Sequence, residues 1–302
     1  MAETPEISVA VCTYNRADVL PKCLESLTNQ NIGSDLFEVL IIDNNSTDNT
    51  KKIADDFYEK YNNFRYVFET RQGHSQARNR AIAEAKGKYL AYIDDDETVN
   101  REFIQSILAC FNETNADVVG GRLLSWIDSA EVPIFYNPRL YDFDLGSERK
   151  QMQSSGFDFG FGCGYSCFKK SLFDEVGLFS ENFGIVNGKL QMGEDSEMGY
   201  RLLKAGKVFY YEPKMEVKHK LRLKELEFIG SLKRSCNVGS GIGKIIRNDI
   251  TLSKKFKKIA APFVYAFLFL FLFPFYWIKG PWFFAKKLGD VFFAFGVAKN
   301  VL

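Results

Sequence analysis

The chain has 302 residues, with 39 Lys plus Arg against 38 Asp plus Glu and 46% hydrophobic residues. That composition fits one large domain or two small ones around a sizeable core and excludes a disordered, fibrous or collagenous chain. A net charge of +1 and a sequence pI near 7.5 speak against a dedicated nucleic-acid binder, whose basic face pulls the pI well above neutral.

In chain order, Ile7 to Cys12 and Val39 to Ile42 are short apolar runs rich in β-branched residues and bounded by polar turns, the pattern of buried parallel strands. Between them Asp18 to Leu27 sets Val19, Leu20, Cys23, Leu24 and Leu27 on one helical face, with Asp18 as the expected N-cap. A helix over Thr47 to Tyr61, a strand at Arg65 to Phe68, a helix over Ser75 to Ala85 and a strand at Tyr89 to Ile93 continue the alternation. The fold class is therefore α/β, a doubly wound sheet flanked by helices. A helix at Arg101 to Phe111 and a strand at Asp117 to Leu123 follow, and then an irregular stretch to Gly164 that includes Pro133 and Pro138. Helices at Lys170 to Val176 and Asp195 to Lys204 and strands at Lys207 to Tyr211 and Met215 to His219 complete a catalytic domain over 1–220. Residues 221–258 read as basic amphipathic helices and 259–302 as a hydrophobic, membrane-associated segment.

The charge is split along the chain. Met1 to Pro213 holds 33 acidic and 22 basic residues, whereas Lys214 to Lys258 holds 13 basic and 4 acidic. An acidic front suits a cation-assisted site for anionic ligands, and a basic segment ahead of an apolar one suits an anionic membrane surface. Six scattered cysteines without a CxxC pair fit a reducing compartment and require no disulfide. No charged leader with a long apolar run opens the chain, so the catalytic part is expected to stay in the cytoplasm.

Asp94-Asp95-Asp96, directly after the apolar strand at Tyr89 to Ile93, is the sharpest local feature. Three adjacent carboxylates repel one another unless a cation neutralises them, and a parallel-strand end lies in the crevice where α/β sheets bind ligands. Mg²⁺ or Mn²⁺, held by one or two carboxylates together with ligand phosphates, resolves the repulsion. A solvated acidic loop ahead of the next helix is the plainer alternative.

The segments ISVAVCTYNR at 7–16, VLIIDNNSTDNT at 39–50, GHSQARNRAIAEAKGKYLAYIDDDE at 73–97, GCGYSCFKKSLFDEVGLFSE at 162–181 and GEDSEMGYRLLKAGKVFYYEP at 193–213, with His219, together resemble the family 2 glycosyltransferases. These are inverting, nucleotide-sugar-dependent enzymes of the GT-A fold, and the matching motifs cover about residues 7–219 in the family's order. The resemblance implies that Thr13, Tyr14, Asn15 and Arg16 meet the nucleotide, that Asp43 meets the base, and that Arg71 and Arg78 face the nucleotide or diphosphate. Arg78 also reads as a surface helix residue. Asn44 and Ser46 read first as caps of the following helix, with Asn44 a further nucleotide candidate. The resemblance further assigns ribose or metal-bound water to Asp94, places Asp95 in the same element, and makes Asp96 the metal ligand, with His219 a possible second ligand or a structural residue. Glu194-Asp195 matches the family's paired acids. Inverting transfer needs one carboxylate to deprotonate the acceptor hydroxyl, a role for Asp195, although an acidic pair also suits a helix N-terminus. Gly162 and Gly164 would let the backbone approach the donor sugar, and Tyr165 would stack on it.

The implied partners are a nucleoside diphosphate-sugar, with a UDP-sugar favoured, a glycan or lipid-linked acceptor, and a membrane. Two other readings of the same residues are a sugar-phosphate nucleotidyltransferase and a non-catalytic membrane-anchored scaffold. The former wants a Gly-rich loop after the first strand, where this chain has Thr13-Tyr14-Asn15-Arg16. Gly239 to Lys244 lacks phosphate-loop spacing and reads as a helix break or a close-packing site. Residues 259–278 carry no charge, include nine aromatics and abut Lys254, Lys255, Lys257 and Lys258. Spanning, re-entrant and interfacial arrangements are all compatible with that pattern, and the expected location is the cytoplasmic face of a membrane; a buried C-terminal helix pair in a soluble oligomer is the plainer alternative.

Overall fold

The computed structural model describes residues 4–127, 141–152, 162–186, 189–221, 223–247, 249 and 252–301. Much of the irregular stretch expected between Leu123 and Gly164, with Pro133 and Pro138, therefore lies outside the described residues.

The chain divides into two units. The first, built from residues 4–125, 142–181 and 194–220, contains β1 (Ile7–Thr13), α1 (Leu20–Thr28), β2 (Phe37–Asp43), α2 (Thr50–Lys60), β3 (Phe64–Phe68), α3 (His74–Glu84), β4 (Tyr89–Asp94), β5 (Glu97–Val99), α4 (Phe103–Glu113) and β6 (Val118–Trp126, its last residue assigned to the second unit). It continues with β7 (Lys150–Gln151), a 3₁₀ turn (Cys163–Tyr165), β8 (Ser166–Lys169) and α5 (Leu172–Val176). The second unit then contributes the hairpin of β9 (Gly184–Val186) and β10 (Lys189–Gln191), and the first resumes with α6 (Glu194–Lys204) and β11 (Phe209–Lys220).

The main sheet runs β3-β2-β1-β4-β8-β6-β11-β5, with β7 on β11. The pairs β1–β2, β2–β3 and β1–β4 are parallel, while β8 lies antiparallel to both β4 and β6. The sheet is thus mixed. Strand periodicity divides its side chains between two cores, because successive residues point to opposite faces. Val9, Val11, Val39, Ile41, Ala91 and Ile93 pack with Leu20, Leu24, Phe103 and Ile107 of α1 and α4. Ala10, Leu40, Ile42, Leu90 and Tyr92 pack with Ala77, Ala81, Met198 and Leu202 of α3 and α6. Burial on both faces explains why β1 and β2 read as continuous apolar runs.

Several local expectations are corrected. Val19, not Asp18, occupies the N-cap of α1, with no side-chain cap bond and Pro21 in the first turn. The two strands expected at 207–219 are one twelve-residue strand, β11, running through Pro213. The short strands β5 and β8 were not anticipated; a run of three or four residues is too short to show a period.

In the second unit, a 3₁₀ turn (Leu223–Leu226) leads to α7 (Phe228–Ile246), α8 (Leu252–Phe271), α9 (Phe273–Ile278) and α10 (Pro281–Val301). The glycine-rich run at 239–244 lies inside an unbroken α7, so it is a close-packing site and not a helix break. A Cβ at Gly239 would strike the Phe293 carbonyl, one at Gly243 the Val297 carbonyl, and one at Gly296 the Cys236 carbonyl. Helices α7 and α10 thus meet backbone to backbone. No helix among the described residues is long and apolar enough to cross a membrane.

Leu24 is fully buried beneath β1. Leu24→Ala is expected to cost about 2–5 kcal/mol of unfolding free energy through lost transfer energy and an unfilled cavity, read as a lower urea midpoint with unchanged slope.

Candidate active site

The register of the parallel strands determines where the chemistry lies. Thr13 pairs with Asp43 across β1 and β2, and Cys12 pairs with Asp94 across β1 and β4. The ends of β1, β2 and β4 therefore sit side by side. Strand β1 is also where the order reverses, with β2 and β3 on one side and β4 on the other, which makes it the crevice in which open α/β sheets bind ligands.

Two loops at this edge are stitched together. Asn15, at φ 51°, accepts a hydrogen bond from the Thr47 amide at 2.7 Å, and its own amide donates to Ser46 Oγ at 2.9 Å. The Arg16 amide donates to Thr50 Oγ1 at 3.1 Å. Asp43 accepts from the Ser46 amide and from the Tyr66 hydroxyl, both at 2.9 Å. Asn44 donates to the Arg71 carbonyl at 2.8 Å and accepts from the Gly73 amide at 2.7 Å, so it braces the loop before α3. The capping expectation for Asn44 and Ser46 is thereby corrected: both tie loop to loop, and α2 has no side-chain cap. Thr13 is buried, whereas Tyr14 is exposed.

At the end of β4 the three acids have separate environments. Arg16 reaches Asp95 at 3.5 Å and Asp96 at 3.0 Å. Burial pushes the Asp95 carboxyl up to about 7 despite Arg16. Burial acts the same way on Asp96, but the His219 contact and Arg16 outweigh it and hold that carboxyl below its ordinary value. His219 Nε2 lies 3.4 Å from Asp96 Oδ1, because the β5–β11 pairing sets His219 opposite Glu97 and the Lys220 amide donates to the Asp96 carbonyl at 3.0 Å. Among the described residues no three His, Cys, Asp or Glu side chains form a ready-made metal cage. The pair Asp96 and His219 nevertheless fits a divalent ion chemically, since such ions commonly take one or two protein ligands and complete their shell with water and phosphate oxygens.

Arg78, on the inward face of α3, is only 4% exposed, which removes the surface reading. Its guanidinium pairs with Asp195, reaches Glu194 Oε1 at 3.2 Å and stands 3.9 Å from Asp94 Oδ1. Phe179 lies against its face at 5.6 Å, and the Tyr92 hydroxyl donates to its carbonyl at 2.9 Å. The other Asp195 oxygen accepts from the Cys163 amide at 3.1 Å. Acids from the end of β4 and the start of α6 are thus gathered by one buried cation. Gly164 completes the arrangement, because a Cβ there would lie 2.6 Å from Glu97 Oε2 and 2.9 Å from Asp94 Oδ2.

The structure therefore brings together Arg16, Arg78, Asp94, Asp95, Asp96, Gly164, Glu194, Asp195 and His219. Arg71 stands apart on an exposed loop, paired with Glu69 and Glu181. Tyr165 packs on Phe143 at a centroid distance of 5.5 Å. Sequence reasoning missed Glu97, a buried carboxyl that accepts the Asp94 amide at 2.9 Å and is pushed well up by burial and by Asp94. It also missed Tyr66 and His74, the latter 3.7 Å from Glu194. Glu97 had a signal, as the fourth acid of the run.

A family model described as "Glycosyl transferase family 2" matches residues 8–177. Among curated proteins, the chain is similar to "Glycosyltransferase AglE" of Haloferax volcanii, 35% identical over 39% of this chain and 40% of that one. It is also similar to "GalNAc(5)-diNAcBac-PP-undecaprenol beta-1,3-glucosyltransferase" of Campylobacter jejuni, 25% identical over 86% of this chain and 80% of that one. The chain spans only 40% of the length of AglE and 58% of that of another such relative, "Glycosyltransferase GlyG" of Streptococcus pneumoniae. Among solved structures, S. aureus TarS 1–349 in complex with UDP-GlcNAc superposes with a TM-score of 0.57 at 16% identity, covering 95% of this chain and 90% of that one. GalNAc-T7 with UDP, GalNAc and Mn²⁺ superposes equally well, at 0.57 and 19% identity, covering 72% and 43%. These likenesses show the GT-A fold.

Removing a buried cation leaves its acids unpaired. Arg78→Gln is expected to lower unfolding free energy by about 3 kcal/mol or more, whereas Arg71→Gln on the exposed loop should change it by less than about 1 kcal/mol. Parallel urea titrations of the two variants check the contrast.

Proposed function

Since the chain belongs to glycosyl transferase family 2, we propose that it moves a single sugar from a nucleoside diphosphate-sugar to a hydroxyl of a lipid-linked or polymeric glycan, inverting the anomeric carbon. The observation that carries this reading is the convergence on Arg78 of Asp94, from the ligand edge of the sheet, and Asp195, from the start of α6. Such a pairing sets one acid at the donor and one at the acceptor. A UDP-sugar is the favoured donor, in keeping with the UDP and UDP-GlcNAc named for the TarS complexes. The undecaprenol-linked glycan in the name of the Campylobacter relative supports the acceptor class.

In this reading Thr13 to Arg16 and Asp43 receive the nucleoside. The Arg16 guanidinium, already aimed at Asp95 and Asp96, also serves the diphosphate. A divalent ion held by Asp96 and His219, with Asp94 contributing to it or to the ribose, would supply charge neutralisation on the departing diphosphate. Asp195 is the base. Its carboxylate is oriented by Arg78 on one oxygen and the Cys163 amide on the other, leaving lone pairs to accept the acceptor's hydroxyl proton as that oxygen attacks. Gly164, with no Cβ, keeps the backbone close against Asp94, where the sugar would lie.

Asp195→Asn keeps the shape and removes the base. It should lower kcat for transfer by at least about 100-fold while leaving the UDP dissociation constant unchanged; loss of UDP binding along with activity would refute the assignment.

Thermal unfolding against UDP, GDP, TDP and CDP, with and without Mn²⁺, tests the donor end. A nucleotide at 100 times its dissociation constant stabilises a fold by about 2.7 kcal/mol. The expected result is a rise in Tm for UDP that requires both Mn²⁺ and Asp96 and is absent in Asp96→Ala. A UDP response indifferent to both would show that the diphosphate is held without that ligand pair.

A further inference from the structure

The helical unit presents an apolar surface that its own packing does not use. Along α8, Ser253, Lys257, Ala260, Val264, Phe267 and Phe271 recur at steps of three and four, and all are exposed. Steps of that kind place residues on one helix face. Phe267 and Phe271 are 68% and 76% exposed, and Ile278, closing α9, is 83% exposed. The side of α8 turned to α10 is occupied by Phe269, which is buried and meets Phe284 at 5.2 Å, while Phe263, itself 65% exposed, touches Phe295 edge-on at 5.7 Å at the margin of the stripe. An apolar stripe of this extent on a water-facing surface marks an interaction site.

Charge identifies what covers it. Residues 252–301 carry eight lysines and a single acid, Asp290. The lysines cluster at the margins of the apolar stretch, with Lys254, Lys257 and Lys258 exposed before it and Lys279 exposed after it. Long basic side chains around exposed aromatics match the boundary between lipid headgroups and acyl chains.

The packing also selects among the three arrangements open from sequence. The Phe263–Phe295 and Phe269–Phe284 contacts make α10 antiparallel to α8. Lys287 and Asp290 consequently lie level with the middle of the apolar stretch. A cavity of about 460 Å³ between these helices is lined by Leu268 and Phe269 together with Lys287 and Asp290, and Lys287 pairs with Asp290 at 3.2 Å. A spanning α8 would carry these charges toward the bilayer centre, where each is expensive. A unit lying in the interface keeps them at headgroup depth. Among the described residues no helix is both long and apolar enough to cross a membrane, α8 opening on four lysines and ending at Phe271.

We infer that the α8–α10 helices form a monotopic membrane-binding surface for an anionic bilayer, with the outward face of α8 and α9 dipping into one leaflet and the flanking lysines meeting acidic headgroups. This inference is independent of the transfer reaction, and its test requires no activity.

The experiment is sedimentation of the full chain with sealed vesicles of phosphatidylcholine alone or with one third phosphatidylglycerol. Binding should be at least tenfold stronger to the anionic vesicles and should weaken with added salt. Replacing Lys257 and Lys258 by Gln should reduce partitioning roughly fivefold per lysine. Phe267→Ser with Phe271→Ser should reduce it while leaving Tm unchanged, because both side chains are exposed. A cysteine introduced by Lys279→Cys, in a chain whose six native cysteines are replaced by alanine or serine, should react with an impermeant maleimide added outside. Equal binding to neutral vesicles would overturn the inference, as would labelling of that cysteine only from within the vesicle. A concentration-dependent dimer that binds no vesicle and is abolished by the Phe267 and Phe271 changes would overturn it in favour of a second copy.

Discussion

The buried guanidinium of Arg78 is the constraint around which the catalytic unit is organised. It stands among Asp94, Asp195 and Glu194, groups that the chain supplies from the end of a strand and the start of a distant helix. Without a cation, carboxylates gathered this closely would repel one another and drive the start of α6 away from the end of β4. With it, two acids proposed for opposite ends of one reaction are held at fixed separation. Gly164 and the Cys163 amide reach Asp94 and Asp195 from the turn that leads into β8, the strand paired with β4.

A second cation acts on the remaining acids, and its effect differs between neighbours. Arg16 touches both Asp95 and Asp96, yet burial lifts the first to about 7 while His219 helps to hold the second below its ordinary value. Consecutive acids on a strand end point in different directions, so one faces the interior and the other a histidine. Near neutral pH the run is therefore not three equivalent negative charges. Asp96 is the member presented as a dependable anion, which is what a diphosphate-bridging cation would require. Asp95 shares its burden with the interior, and Glu97, deeper still, is pushed well up.

Much of this was legible in the sequence, and the reasons are physical. The parallel strands β1, β2 and β4 are buried on both faces, so their apolar runs stood out, and the acids that end them marked the ligand edge. The roles of Arg78 and Asn44 were less accessible. An arginine on a helix is ordinarily a surface residue, and although Ala77, Ala81, Ile82 and Ala85 mark the inward face of α3, small alanines do not show that the arginine beside them is buried. That depends on α6 returning to the same edge, a long-range event. Asn44 and Ser46 carried the local signature of helix caps, but tertiary bonds to the loops at 71–73 and at Asn15 claimed them instead. The short strands β5 and β8 were invisible for a related reason: their pairing with β11 and β4 creates them, and that pairing also delivers His219 to Asp96.

The helical unit illustrates how one composition can serve opposite surfaces. Gly239, Gly243 and Gly296 lie where α7 and α10 touch, and each is required because a Cβ would meet a carbonyl of the facing helix. A glycine in an exposed helix costs about 1 kcal/mol relative to alanine, so these positions are accounted for by close backbone contact. On α8 the logic is reversed. Phe267 and Phe271 face outward, contribute little to internal packing, and are flanked by lysines in place of acids. A soluble surface would be expected to carry mixed charge on such a face. The combination of a glycine-packed interior and a basic-edged aromatic exterior is therefore internally consistent if the solvent of that exterior is a leaflet and not water. The four lysines at the head of α8 then have a physical reason to belong to the same helix as the aromatic stripe: headgroup contact and acyl contact must be held on one rigid element to act together.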